Sequence, residues 1–75
     1  MPNFVEVSYN DVGNFKSLDD AIISLANKYL GNTSGLDFTR SRRRLEFLFP
    51  HFEQASLFTA ELHLDLPQVS VDRVT

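Results

Sequence analysis

The sequence predicts a small α+β domain, in which a single helix packs on an antiparallel-rich sheet in the order β-α-β-β-β. Apolar residues recur at helical spacing over residues 17–30. They alternate with polar residues over 4–9 and again over 58–66, which is the period of a half-buried strand. Two shorter alternating runs, 36–39 and 45–49, flank a cluster of arginines. One helix across one sheet is the simplest two-layer arrangement for these elements.

The predicted helix over residues 17–30 has signals at both ends. Ser17 and Asp20 have the spacing of a capping box, in which each side chain satisfies a backbone N–H group at the helix start. Gly31 is suited to the left-handed conformation that ends many helices. The apolar face comprises Leu18, Ala21, Ile22, Leu25, Ala26 and Tyr29.

A run of arginines separates two of the predicted strands. The cluster consists of Arg40, Arg42, Arg43 and Arg44. The flanking runs form either two strands joined as a hairpin or one long strand bent at Ser41. Leu36 and Phe38 are predicted to share the apolar face that meets the helix. Phe47 and Phe49 are predicted on the same face, which makes them core residues rather than a platform for stacking bases.

The C-terminal third of the chain allows two interpretations. Residues 51–56 would accept one helical turn, whereas 58–66 alternate cleanly and predict a long strand. Residues 67–75 form either a short edge strand or a frayed tail. If residues 51–60 were instead a second helix, the order would become the ferredoxin-like β-α-β-β-α-β.

Length and composition place the whole chain, residues 1–75, in one small domain. Seventy-five residues leave no room for two cores, and 43% hydrophobic with 23% charged residues indicates a folded chain. There is no cysteine, so no disulfide stabilises so small a core, and self-association is expected to add buried area. The sequence shows neither a secretory leader nor a membrane span, which predicts a cytoplasmic protein without a membrane partner.

The sequence predicts neither an enzyme nor a protein that holds a metal or cofactor. Asp19 and Asp20 are expected to be occupied at the helix start, and there is no nucleophile elbow or glycine-rich phosphate loop. His51 and His63 match no known spacing of metal ligands. No catalytic residue, metal ligand or cofactor is therefore assigned.

The predicted function is that of a small non-enzymatic protein-binding module, such as an inhibitor, an adaptor or an assembly subunit. The arginine-rich hairpin would orient acidic groups of a partner, and an apolar sheet face without a helix would supply desolvated contact area. The predicted partner-binding residues are Arg40, Arg42, Arg43, Arg44, Leu48 and Leu57. The partner is another protein, a second copy of this chain, or both.

A first alternative is that the bend from Arg40 to Arg44 binds single-stranded nucleic acid or RNA, with an affinity that falls as salt rises. The stretch from Arg44 to Phe49 resembles the central strand of RNA-recognition motif domains, although it lacks the glycine before the first aromatic residue. The net charge of −3 is opposite to the basic balance usual in duplex-binding proteins.

A second alternative is a small ligand-carrying oligomer. The predicted order of elements, with "SLDDAI" at the helix start, is similar to that of dodecins, which are flavin-storing oligomers. The chain has no tryptophan, the residue with which that family stacks its flavin. The resemblance therefore implies a fold more than a ligand.

Overall fold

The computed structural model describes residues 3–10, 13, 15–39 and 41–75. They form a four-stranded antiparallel sheet and two helices, so the predicted α+β class is confirmed. The elements are β1 (Asn3–Asn10), α1 (Phe15–Lys28), β2 (Asn32–Thr39), β3 (Arg42–Phe49), α2 (Phe52–Asp65) and β4 (Ser70–Val74). The order β-α-β-β-β was wrong, and the order found is the ferredoxin-like alternative, β-α-β-β-α-β.

The correction concerns α2, where a long strand was predicted over residues 58–66. The buried residues Ala55, Phe58 and Leu62 are spaced by three and four positions, which is helical. Leu64, which continued the apparent alternation, is 79% exposed. The alternation arose because this helix carries apolar residues on both faces. Glutamate, glutamine, alanine and leucine dominate α2, and these residues favour a helix over a strand.

The ends of α1 also differ from the prediction. The helix begins at Phe15, so Ser17 and Asp20 lie inside it and form no capping box. At the other end the left-handed residue is Leu30, with φ of 66°, and not Gly31. The Gly31 N–H donates to the Ala26 carbonyl at 2.8 Å, which completes a Schellman-type ending. Gly31 is instead required for packing, since a Cβ there would lie 2.5 Å from the Phe49 ring.

The sheet has the strand order β2-β3-β1-β4, with β2 and β4 at its edges. Residues 67–75 thus contain an edge strand, one of the two predicted possibilities. The core lies between the sheet and the helices, and its largest fully buried side chains are Tyr9, Phe47, Phe49, Phe58, Ile22, Leu45, Leu62, Val5 and Val7. The Phe49 and Phe58 ring centroids are 5.1 Å apart. Phe47 and Phe49 are therefore core residues, as predicted.

Both helices lie on one face of the sheet. The opposite face, here called the open face, has neither helix over it, because the buried apolar side chains of β1 and β3 all point toward α1 and α2. Neither helix is long and apolar enough to cross a lipid bilayer, as far as the described residues show.

Candidate protein-binding surface

Most of the predicted arginine bend is regular strand. Arg42, Arg43 and Arg44 open β3, and Arg40 lies outside the described residues. The chain reverses between β2 and β3, where Ser41 has φ of 67° and Thr39 pairs with Arg42. The hairpin interpretation is therefore confirmed, and the single bent strand is wrong. Because side chains alternate along a strand, neighbouring arginines point to opposite faces of the sheet.

Arg43 points toward the helices and forms an ion pair at the margin of the core. Its Nη2 lies 2.5 Å from Asp19 Oδ2 and its Nε lies 3.1 Å from the same oxygen. The Tyr9 hydroxyl donates to Asp19 Oδ1. Asp19 is thus buried between a strand arginine and a strand tyrosine, and it does not cap α1 as predicted.

Burial raises the pKa of the Tyr9 hydroxyl, and its hydrogen bond to the Asp19 carboxylate raises it further. The hydrogen bond to Asp19 also raises the pKa of the Arg43 guanidinium. Both shifts favour one arrangement of protons, with a neutral phenol, a charged guanidinium and a carboxylate that accepts from both. The group therefore fixes α1 against β1 and β3, and Arg43 is a structural residue.

Arg42 and Arg44 point to the open face and contact neighbouring strands there. Arg42 Nη1 lies 2.9 Å from Asn10 Oδ1. Arg44 Nε lies 2.9 Å from Glu6 Oε2, and its Nη1 lies 3.9 Å from Asp37 Oδ2. Each contact uses only part of a guanidinium, which has five N–H donors. Both arginines can therefore hold a carboxylate of a partner while they keep these contacts.

The open face is mainly polar and charged, whereas the sequence predicted an apolar sheet face. Opposite residues across β1 and β3 on this face include the pair Glu6 and Glu46, and Arg73 of β4 also lies opposite Glu6. Leu48 is exposed there and pairs with the half-buried Phe4. The apolar part of the open face is therefore a small patch at one end.

Leu57 lies far from Leu48 in the architecture. It is exposed on α2, and its side chain points away from the buried stripe of that helix, as does that of Leu64. Leu48 lies on the open face, so the whole sheet and the helix layer separate the two leucines. The predicted partner-binding residues that the structure describes, Arg42, Arg43, Arg44, Leu48 and Leu57, therefore lie on three different surfaces.

The sequence did not predict that two apolar residues of β2 are exposed. Leu36 and Phe38 lie opposite Leu45 and Arg43, so their side chains are on the helix side, as predicted. They are not core residues, however, because they are 54% and 52% exposed. β2 is an edge strand, and it contributes none of the buried core residues among those that the structure describes. The alternation of β2 could identify the face, but not the strand's position in the sheet.

Leu36 and Phe38 line a shallow groove together with Asp37 and Arg43, and its volume is about 230 Å³. The Arg43 guanidinium carbon lies 5.7 Å from the centroid of the Phe38 ring, a cation–π distance. The Phe38 N–H donates to the Asp37 Oδ1 at 2.9 Å, and this contact is exposed to solvent. We call Leu36, Asp37, Phe38 and Arg43 the β2 edge surface.

The two histidines considered as metal ligands do not lie close together. His51 and His63 are exposed at opposite ends of α2. No group of three or more histidine or acidic side chains with the geometry to hold a metal ion occurs within the described ranges. A groove of about 310 Å³ between α1 and α2 is lined by Ala21, Ser24, Leu25, Lys28, Asp65 and Leu66.

No family model matches the sequence, and no curated protein matches it significantly. The geometry of the hairpin and its neighbours is therefore the basis for a functional interpretation.

Proposed function

We propose that this chain is a protein-binding module that accepts an extended segment of a partner along the outer edge of β2. Inhibitors, adaptors and assembly subunits act through such surfaces. The proposal rests on one observation above all. An edge strand eight residues long carries two large apolar side chains, Leu36 and Phe38, that are half exposed on the same side. Natural edge strands usually avoid this combination, because it invites pairing with another chain.

The side chains of Leu36 and Phe38 supply the apolar part of the contact. They are two positions apart, so they stand next to each other on the helix side of the sheet. A partner strand in register would place alternate apolar side chains against them, and Arg43 would close one end of the groove. Burial of two side chains of this size contributes roughly 0.8–1.5 kcal/mol each when about half of each is already buried.

The backbone of β2 supplies the second part of the contact. The Phe38 N–H is bonded to the side chain of Asp37, its own neighbour, and so it faces outward and not toward β3. By the alternation of an antiparallel ladder, Leu36 also presents its N–H and carbonyl outward. A partner carbonyl would replace the Asp37 carboxylate at the Phe38 N–H. This is strand addition, in which backbone hydrogen bonds give affinity and alternate side chains give specificity.

Arg42 and Arg44 supply a polar margin on the open face of the same hairpin. A partner strand beside β2 would present its other side chains to this face, where Arg44 already lies 3.9 Å from Asp37. An acidic residue of the partner would pair with either arginine at modest gain, because these sites are exposed to solvent. Their role is therefore orientation more than affinity.

Nucleic-acid binding by the arginines has less support. Arg42 and Arg44 point to one face and Arg43 to the other, and Arg43 and Arg44 are paired with acidic side chains. Phe47 and Phe49 are buried and offer no ring to a base. The alternative of a ligand-carrying oligomer also has little support, since the grooves named above are open to solvent rather than enclosed.

The test is selection of binding peptides from a random displayed library, followed by measurement of their affinity for variants. We expect the selected peptides to alternate apolar residues and to lose affinity by about tenfold or more with Leu36→Glu or Phe38→Glu. Leu64→Glu is the matched control, because it makes the same change on an exposed residue of α2.

Arg42→Glu combined with Arg44→Glu should weaken the same peptides by a smaller factor and mainly at low salt. Arg43→Glu is not a suitable variant, since it would break the pair with Asp19 and disturb the fold. Peptides that bind both β2 variants as tightly as the wild type, or that lose affinity only with Leu64→Glu or Leu48→Glu, would contradict the proposal.

A further inference from the structure

The other edge of the sheet, β4, has an unusual distribution of side chains. All five of its residues are exposed, and Val71 and Val74 are exposed by 39% and 43%. The strand contains a bulge, since Glu6 lies opposite Arg73 while the next residue of β1, Val7, lies opposite Val71. Asp72 is therefore the additional residue. Its position in the bulge determines which side chains share a face.

The bulge places two opposite charges side by side on the open face. Arg73 lies opposite Glu6, an open-face residue, and the Ser8 hydroxyl donates to Asp72 Oδ2 from the same face. Val71 and Val74 lie opposite Val7 and Val5, whose side chains are in the core, so both valines point to the helix side. Along β4, Val71 therefore points to the helix side of the sheet, the next two side chains point to the open face, and Val74 points to the helix side again.

The outward backbone groups of β4 belong to the same two valines. Thr75 exchanges two hydrogen bonds with Phe4, at 2.9 and 3.0 Å. By the alternation of an antiparallel ladder, Val74 and Val71 then direct their N–H and carbonyl groups away from β1. Two residues separate Val71 from Val74, whereas only one separates their partners Val7 and Val5 on β1. The outward groups of β4 therefore keep the spacing of an ordinary ladder across the bulge.

We propose that β4 pairs antiparallel with β4 of a second copy of this chain, about a two-fold axis perpendicular to the sheet. Val71 lies opposite Val74 of the second copy, and Asp72 lies opposite Arg73 of the second copy. Each copy contributes four strands, so the pair forms one sheet of eight. Each residue points to the same face of the sheet as the residue opposite it, and each of the two charged pairs joins an aspartate with an arginine. A two-fold contact of this kind is self-complementary and closed.

This register is the only one that satisfies both the charges and the backbone. A shift of one residue in either direction places Asp72 against Asp72, or Arg73 against Arg73, and it also mismatches the outward backbone groups. A shift of two residues places each charge against an uncharged residue. Charges and bulges on an edge strand normally prevent pairing with other sheets. Here they exclude other strands and also specify the second copy as the partner.

The dimer is expected to be weak, because five residues a side bury less than the 1,200 Å² or so of a typical stable interface. The proposed dimer is independent of the proposed function, because it uses β4 and not β2. An experiment can therefore refute one proposal without refuting the other. Sedimentation equilibrium over a concentration series should show the mass rise from 8.6 kDa toward twice that value. A mass that stays at 8.6 kDa up to millimolar protein would overturn the proposal.

Two charge variants test the register directly. Asp72→Arg places two arginines against each other across the axis, and Arg73→Asp places two aspartates there, so neither variant alone should dimerise. An equimolar mixture should dimerise again, because each charge then faces its opposite. Asp20→Arg, an exposed change on α1, should leave the wild-type dimer unaffected. Dimerisation of either single variant, or a mixture that stays monomeric, would contradict the proposed register.

Cysteine variants keep the test valid if the charge variants fold poorly. The natural chain has no cysteine, so no other thiol can react. Directly opposite residues in a hydrogen-bonded pair have Cα atoms about 5.5 Å apart, within the range of a disulfide. Val71→Cys and Val74→Cys should each form no disulfide-linked dimer on mild oxidation, while their mixture forms one. Linkage within one variant alone, or none in the mixture, would overturn the proposal.

Discussion

Arg43 and Asp19 are joined across the margin of the core, with Arg43 Nη2 2.5 Å from Asp19 Oδ2. The pair connects β3 to α1, and the Tyr9 hydroxyl connects it to β1. It explains why the arginine cluster is not a uniform basic patch. One of its members is a structural residue, and its neighbours on either side face the opposite side of the sheet.

Arg43→Ala should destabilise the protein by roughly 2–4 kcal/mol, because it leaves the Asp19 carboxylate buried without its charge partner. Urea unfolding followed by circular dichroism measures the change in the free energy of unfolding. Arg42→Ala is the matched control and should change it by no more than about 0.5 kcal/mol. Equal effects of the two variants would show that the Asp19 pair does not stabilise the fold.

The stability of the protein should fall at alkaline pH because of Tyr9. Its pKa is raised in the folded state, so the folded protein holds the phenol proton more tightly than the unfolded chain does. The stabilisation is complete below about pH 10, the ordinary pKa of tyrosine, and is lost as pH rises above it. Unfolding free energies at pH 8 and at higher pH should therefore diverge less in Tyr9→Phe than in the wild type. An identical alkaline decline in both proteins would contradict this assignment.

Leu30→Gly should stabilise the protein by about 0.5–1 kcal/mol. Leu30 adopts the left-handed conformation, which is costly for a residue with a Cβ, and its side chain is exposed. Glycine removes this strain, although it also increases the entropy of the unfolded chain. Thermal unfolding measures the shift in Tm, and a lower Tm for the glycine variant would show that the Leu30 side chain contributes more than the strain costs.

Gly31→Ala should destabilise the protein by about 1–3 kcal/mol, the usual cost of overpacking a core. The new Cβ would lie 2.5 Å from Phe49 Cε2, and the Phe49 ring already packs against Phe58 with a centroid distance of 5.1 Å. A second substitution, Phe49→Leu, should reduce the penalty, because it removes the ring atoms in question. Full additivity of the two changes in chemical denaturation would contradict the proposed clash.

The sequence allowed the α+β class, a helix over residues 17–30 that the structure places at 15–28, and the core roles of Phe47 and Phe49 to be predicted. It misled over α2, because apolar residues on both faces of a helix reproduce the alternation of a strand. Phe58 and Leu62 fit either period, whereas the buried Ala55 and the exposed Leu64 fit only the helical one. Tertiary packing determines that these residues form a helix, and local periodicity in the sequence does not report packing.

The candidate surface was predictable only in part. The hairpin was one of two interpretations that the sequence allowed, and the position of β2 at the sheet edge was not predicted. That position depends on the crossover from β1 through α1, which places β3 between β1 and β2. Leu36 and Phe38 are exposed for this reason alone. The separation of Leu48 from Leu57 likewise follows from the helix that replaced the predicted strand.

Amide hydrogen exchange of the protein with and without a selected peptide tests the central proposal most directly. Strand addition predicts that the outward amides of β2, those of Phe38 and Leu36, exchange more slowly in the complex, while the amides of α2 are unaffected. Peptides methylated on the alternate backbone nitrogens that face β2 should not bind, since they cannot complete the ladder. Protection confined to α2, or to the open face near Leu48, would contradict the proposal that this protein binds its partner along the edge of β2.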